Sequence, residues 1–196
     1  ESKCLKLATD INQLRKKHKS GLEKELQELL AALAMENARF EVELKACVLS
    51  HNGISDPAFM FSANPGMALQ PIDKAASGGE LSRLMLSLKS IYAKKSHLPT
   101  ILFDEIDNGI SGAVASKAGS ILEDLGKSIQ VFSITHLPQV ASKAKHHMRV
   151  EKSVSDGKTS TEVKLLSADE RIVEIAKMLS GETVQDSAIK TAKELL

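Results

Sequence analysis

Three short stretches hold residues whose types and spacing could do chemistry. "TILFDE", Thr100 to Glu105, is an apolar run that ends on two carboxylates. Ligands of α/β sheets bind beyond the carboxyl ends of the strands. A carboxylate there, Asp104, can hold Mg²⁺ through water, because that ion dehydrates reluctantly. Its neighbour Glu105 can polarise an attacking water. The plainer reading is two solvated acids before a turn. "SIQVFSITH", Ser128 to His136, is a second apolar run, read as a buried strand ending on a histidine. His136 can hydrogen-bond a terminal phosphate and sense its loss, or it can simply satisfy a local backbone carbonyl. His146 and His147 make poor joint metal ligands with it, since adjacent residues on a strand point to opposite faces. The third stretch is Ser77-Gly78-Gly79-Glu80, at the start of a helix. Leu81, Leu84, Met85, Leu88, Ile91 and Tyr92 then follow with helical spacing. Two glycines allow close approach, and a helix N-terminus with free N–H groups and a serine hydroxyl is an anion site. The dipole contributes roughly 0.3–1 kcal/mol to such an anion, and up to about 2 when partly buried. Otherwise Ser77 merely caps its own helix.

The elements around these stretches read as follows. Residues 1 to about 37 form a helix without proline. Leu7, Ile11, Leu14 and His18 are spaced four, three, four, and Leu22, Leu26, Leu29 and Leu33 repeat that spacing one residue out of phase, with the slip near Ser20-Gly21. Heptad-like spacing over so few turns suggests a coiled-coil stub or a packed helix pair, with an ordinary amphipathic surface helix as the alternative. Arg15 to Lys19 is basic, a solvated helix face or a patch for DNA. Phe40 to Lys45 alternates as a half-buried strand, Ala58 to Ser62 is a second apolar run, and Asn64 to Gly66 is a turn. Ala113 to Leu125 is helical. A hairpin turns at Asp156-Gly157, and helices over 168–179 and 184–195 close the chain. Strands alternating with helices predict an α/β fold, a layered, mostly parallel sheet with an antiparallel hairpin.

Bulk properties exclude some classes. A chain of 196 residues with 42% hydrophobic content supports one domain, or one domain plus an appendage. No run is long enough to span a membrane and no secretory pattern is present, so no membrane partner is expected. Cys4 and Cys47 lie in unrelated contexts, which predicts a reduced, cytoplasmic setting. A net charge of +1 gives no bulk support for nucleic-acid binding and leaves a local patch open. The chain begins inside a polar helical pattern, which suggests a piece of something longer.

One expected part is missing. A phosphate-binding loop needs G-x-x-x-x-G-K-[ST] between strand and helix. Gly126-Lys127-Ser128 has Ile121 where the first glycine belongs and precedes a strand. Gly157-Lys158-Thr159 has Lys152 there and sits in a hairpin turn.

Taken in order, Ser-Gly-Gly-Glu at a helix start, an apolar strand ending Asp-Glu and an apolar strand ending in His resemble the ABC-type ATPase head. Without the phosphate loop, the chain resembles the C-terminal half of a split head, the arrangement of the structural-maintenance-of-chromosomes (SMC) branch. Within that branch "MFSANPG", "ASGGELSRLMLSLK", "ILFDEIDNGISG", "THLPQVASKAKHHMRVEK" and "RIVEIAKMLSG" resemble successive motifs of the RecN family of bacterial DNA-repair ATPases, over about residues 22 to 196.

The resemblance implies a coiled-coil stub at 1–37 and the C-terminal lobe of an ABC-type head at 38–196. It implies ATP hydrolysis with Mg²⁺ in the complete protein and an inactive isolated chain. Asp104 matches the Walker B aspartate and metal-holding residue, Glu105 the catalytic base and His136 the switch histidine. Ser77, Gly78, Gly79 and Glu80 match the signature that touches ATP on the opposite head, with Ala76 in place of its common leading leucine. Many ABC heads carry an aspartate seven residues after the Walker B aspartate; here that position is Ser111, with Asp107 and Asn108 nearer. Implied partners are the N-terminal half of the same head, a second copy through ATP-sandwiched heads, and DNA; the implied location is the nucleoid in the cytoplasm. The alternatives are a transporter ATPase subunit and a non-catalytic coiled-coil dimerisation module.

Overall fold

The structure, a computed structural model, describes all residues except Glu1, Ala76, Glu105, Asp156, Gly157 and Glu182, and the backbone alone at Ala75, at 153–155 and at Lys158. The chain divides into two compact units, 1–96 and 97–196.

The first unit begins with α1 (Ser2–Ala32), whose two leucine sets have different fates. Leu7, Ile11 and Leu14 of the first are exposed, whereas Leu26 and Leu33 of the second are fully buried, with Leu22 and Leu29 partly buried and Leu30 buried beside them. The phase slip at Ser20-Gly21 thus separates a solvated stretch from a core-facing one. The helix stops short of the predicted 37. Ala34 adopts the left-handed region at φ 57°, Ala34 N–H donates to Ala31 O at 3.1 Å, and Met35 N–H donates to Leu30 O at 2.9 Å. That is the Schellman arrangement, built on alanine where a glycine would have been the sequence signal.

Strands β1 (Arg39–Ser50) and β2 (Gly53–Ser62) pair antiparallel, with Phe40 opposite Phe61 and Val42 opposite Phe59. The short β3 (Gln70–Pro71) adds to β2, followed by α2 (Ile72–Ala75) and α3 (Gly78–Ser96). Alternation puts Phe40 and Val42 on the face that meets Leu26 and Leu30, and Leu84 and Ile91 of α3 complete this core. The basic run of α1 is partly tied inward: Arg15 donates to Ser55 O at 2.6 Å and to Ser55 Oγ at 3.2 Å. Lys19 pairs with Glu23 at 3.6 Å.

The second unit opens with β4 (Thr100–Asp104), α4 (Gly112–Gly126) and β5 (Gln130–Ile134), a strand–helix–strand unit whose strands pair in parallel. Phe103 packs inward with Ala115, Ala118, Leu122 and Leu125 also buried. The expected burial of β5 is not met: Phe132 and Ile134, like Leu102 of β4, are exposed, because only one face of this two-stranded sheet is covered. Next come α5 (Pro138–Ala141), then β6 (Met148–Ser155) and β7 (Lys158–Leu165) as an antiparallel hairpin, then α6 (Ala168–Ser180) and α7 (Asp186–Leu195). Among the described residues the sheets are one parallel pair, one three-stranded antiparallel sheet and one hairpin.

The hairpin carries its apolar residues outward. Met148 opposite Leu165 and Val150 opposite Val163 are all exposed, while Arg149 on the other face pairs with Glu174 of α6 at 3.2 Å. Helices α6 and α7 close over Ile175, Ala176, Ala188 and Ala192. A full capping box starts α6. Hydrogen bonds from the Lys164 ammonium, and then from Ser167, hold the Glu170 carboxyl down at about 2.

Candidate phosphate-facing helix start and strand ends

In the first unit, α3 begins immediately after Ser77. Its first backbone bond runs from Leu81 N–H to Ser77 O at 2.8 Å, so the N–H groups of Gly78, Gly79 and Glu80 have no intrahelical carbonyl to reach. The Glu80 carboxylate turns back to accept Ser77 N–H at 2.9 Å. Among the described residues the Ser77 hydroxyl makes no hydrogen bond, and Ser77 and Gly78 are exposed. A Cβ built on Gly78 would meet nothing within 4 Å. The glycine is therefore not required by packing inside this unit. Ala76, the predicted departure from the signature pattern, lies outside the described residues.

Sequence reasoning missed Arg83. Its guanidinium donates to Gly79 O and to Leu33 O, each at 3.2 Å. One side chain thus fixes the start of α3 against the end of α1. A basic residue one turn into a helix was the only signal available.

In the second unit the register pairs Asp104 with Ile134, so Asp104 and, two residues on, His136 stand at the carboxyl ends of adjacent parallel strands. Both are exposed. Glu105 lies outside the described residues. Ser111 is the exposed N-cap of α4, and its side chain makes no capping bond. Among the described residues no three His, Cys, Asp or Glu side chains gather to hold a metal. The single carboxylate of Asp104 suits an ion that keeps most of its water, as Mg²⁺ does.

Asp107 behaves differently from its neighbours. It is 1% exposed, and its Oδ2 accepts hydrogen bonds from the Thr135 hydroxyl and, at 3.2 Å, from His136 N–H. The ring Nδ1 of His136 lies 3.5 Å from the same oxygen. Of the two residues standing nearer than Ser111, Asp107 is thus turned into its own unit. Asn108 is exposed. Thr135 also accepts Leu137 N–H at 3.0 Å. Neither contact of Asp107 could be read from spacing, since 28 residues separate it from Thr135.

Helix α4 approaches the segment after His136 closely. A Cβ on Gly119 would come within 2.9 Å of Gln139 O and 3.3 Å of Val140 Cα, so only glycine fits without a backbone shift.

No family model matches the chain. It is 45% identical over 192 residues, 97% of its length, to the protein named DNA repair protein RecN of Rickettsia typhi. To the proteins of the same name from Vibrio cholerae and Bacillus subtilis it is 41% and 38% identical. It covers 35%, 34% and 36% of these three proteins, about a third of each. Among solved structures it resembles the Smc head domain with a coiled coil and joint from Pyrococcus yayanosii, with a TM-score of 0.61 at 20% identity over 88% of this chain and 28% of that one. A second match comes from a structural study of ATP-driven dimerisation and DNA-stimulated activation of SMC ATPases, with a TM-score of 0.59 at 18% identity over 88% of this chain and 99% of that one. The chain is therefore homologous along nearly its whole length to part of the proteins named RecN, and its fold is that of SMC head domains. No helix among the described residues is long and apolar enough to cross a membrane.

Proposed function

We propose that this chain is one half of the split ATPase head of a RecN-like DNA-repair protein, acting in double-strand-break repair in the cytoplasm. It supplies the signature, the Walker B acids and the switch histidine to ATP hydrolysis between two heads. The observation that carries this reading is the parallel register of β4 and β5, which pairs Asp104 with Ile134, two residues before His136. Likeness to RecN proteins over nearly the whole chain supports it further.

Each residue then has a task. Asp104 would hold Mg²⁺, which would supply charge neutralisation for the phosphates. Glu105 accepts the proton of the attacking water. His136 contacts the terminal phosphate through the ring edge that faces solvent. Ser77 and the N–H groups of Gly78, Gly79 and Glu80 receive the phosphates of ATP held by the opposite head. Ser111, exposed at the start of α4, faces the partner head. The phosphate loop comes from the N-terminal half of the same head. The exposed apolar residues Leu102, Phe132 and Ile134, and Met148, Val150, Val163 and Leu165 on the hairpin, are surface that such a half would cover. DNA is a partner of the complete protein.

Magnesium-dependent ATP hydrolysis by the complete protein tests this. Asp104→Asn and His136→Ala should each lower turnover strongly. The isolated chain should neither bind ATP tightly nor hydrolyse it. Wild-type turnover in both variants, or hydrolysis by the chain alone, would overturn the reading.

A further inference from the structure

We propose that Asp107 is the positioning residue of His136: its buried carboxylate fixes the ring with Nδ1 inward and Nε2 outward, toward the phosphate. This rests on the reading of His136 as the phosphate-contacting residue.

The argument starts from an imbalance in burial. The His136 side chain is 66% exposed and Asp107 is 1% exposed. An exposed imidazole at a strand end is free to turn about two side-chain bonds unless something holds it. Asp107 Oδ2 touches it twice, through the backbone N–H at 3.2 Å and near ring Nδ1 at 3.5 Å. The Thr135 hydroxyl locks the same oxygen from the preceding residue, and Thr135 is itself braced by Leu137 N–H. One carboxylate oxygen therefore gathers the backbone, the neighbour and the ring of the histidine.

A second observation shows that hydrogen-bond satisfaction alone does not explain an aspartate here. Its other oxygen, Oδ1, is buried and has no hydrogen-bond partner among the described residues. A buried, half-satisfied acceptor is unfavourable. A carboxylate adds a charge directed at Nδ1. At 3.5 Å this contact is longer than a hydrogen bond, and the carboxylate acts on the ring through its charge, which favours the tautomer with the proton on the near nitrogen, Nδ1. With the proton held at Nδ1, Nε2 is the edge presented outward.

Two measurements test this. In the chain with ¹⁵N-labelled histidine, neutral His136 should be the Nδ1–H tautomer, and Asp107→Asn should move it toward Nε2–H. A wild-type Nε2–H tautomer would overturn the inference, whatever the variant does. In the complete protein, Asp107→Asn should lower kcat by roughly 10–100-fold, the scale found for groups that orient metal-ligating histidines, with KM for ATP changed by less than about twofold. Combined with His136→Ala it should add nothing further, as expected for residues acting as a unit. A full additional loss in the His136→Ala background would mean that Asp107 acts elsewhere and would also overturn it. Wild-type turnover in His136→Ala alone would overturn the underlying reading of His136, and the tautomer measurement would still decide the pair.

Discussion

The backbone N–H of Ser77 donates to the Glu80 carboxylate at 2.9 Å, and no bond returns from Glu80 N–H to the Ser77 hydroxyl. The same Ser-x-x-Glu pattern at Ser167 and Glu170 closes in both directions, at 2.9 and 3.4 Å. One sequence pattern thus gives a complete capping box at α6 and half of one at α3. At α3, among the described residues, the serine hydroxyl has no partner within the helix.

This contrast makes a prediction. Ser167→Ala should cost about 0.5–2 kcal/mol, the usual loss of an N-cap, and lower the melting temperature by a few degrees. Ser77→Ala should leave it nearly unchanged. In the complete protein, Ser77→Arg should keep ATP binding to each head and abolish turnover, because a bulky group blocks docking of the opposite head. Mixing with protein that has an intact signature and a broken phosphate loop should restore some hydrolysis. Equal destabilisation by the two alanine variants would return Ser77 to the role of an ordinary cap.

Glu105→Gln in the complete protein should slow hydrolysis by about 10²–10⁴-fold and spare ATP binding, since the amide keeps the shape and is a poor proton acceptor. Heads loaded with ATP should then stay paired, which analytical ultracentrifugation reads directly. Unchanged turnover would remove Glu105 from the role of base.

Gly119→Ala sets two effects against each other. A helix gains about 1 kcal/mol from alanine over glycine. The new Cβ, however, would sit 2.9 Å from the backbone oxygen of Gln139 and 3.0 Å from Lys143 Cγ. Overpacking against backbone costs typically about 1–3 kcal/mol, so it wins and the melting temperature falls. Gly21→Ala in α1, where nothing lies within 4 Å, is the control and should stabilise. A gain at both positions would show that α4 and α5 separate easily.

Much of this was legible in the sequence, and the exceptions have physical causes. Strand ends were readable because apolar runs stop abruptly at Asp104 and Thr135-His136. The end of α1 was not, because Ala34 takes the left-handed conformation usually marked by glycine. The openness of β5 was not, because a run such as Val131 to Ile134 reads the same with one face covered or two. Asp107 stood in plain view beside Asp104 and Glu105. Its partnership with Thr135 and His136 exists only once β4 and β5 pair in register.

His147, at the entry to the hairpin, should make stability depend on pH. Its Nδ1 is buried without a hydrogen-bond partner among the described residues, and its carbonyl accepts Leu166 N–H at 2.9 Å. Burial first, then the nearby Arg171 charge, pushes its pKa below the ordinary value of 6.5, and Glu174 offsets part of this. The unfolded chain therefore takes up a proton near pH 6.5 that the folded chain refuses. Where the unfolded state binds more protons, stability falls as pH falls. The contribution is neutral above about pH 6.5 and becomes increasingly unfavourable from there down to the lowered folded pKa. Melting curves between about pH 8 and 5 should show wild type losing stability below about 6.5. His147→Gln, which stays uncharged, should lose less over the same interval. Every other group is common to both proteins, so the difference between the two slopes isolates His147. Parallel slopes would mean that His147 accepts its proton without cost in the folded chain.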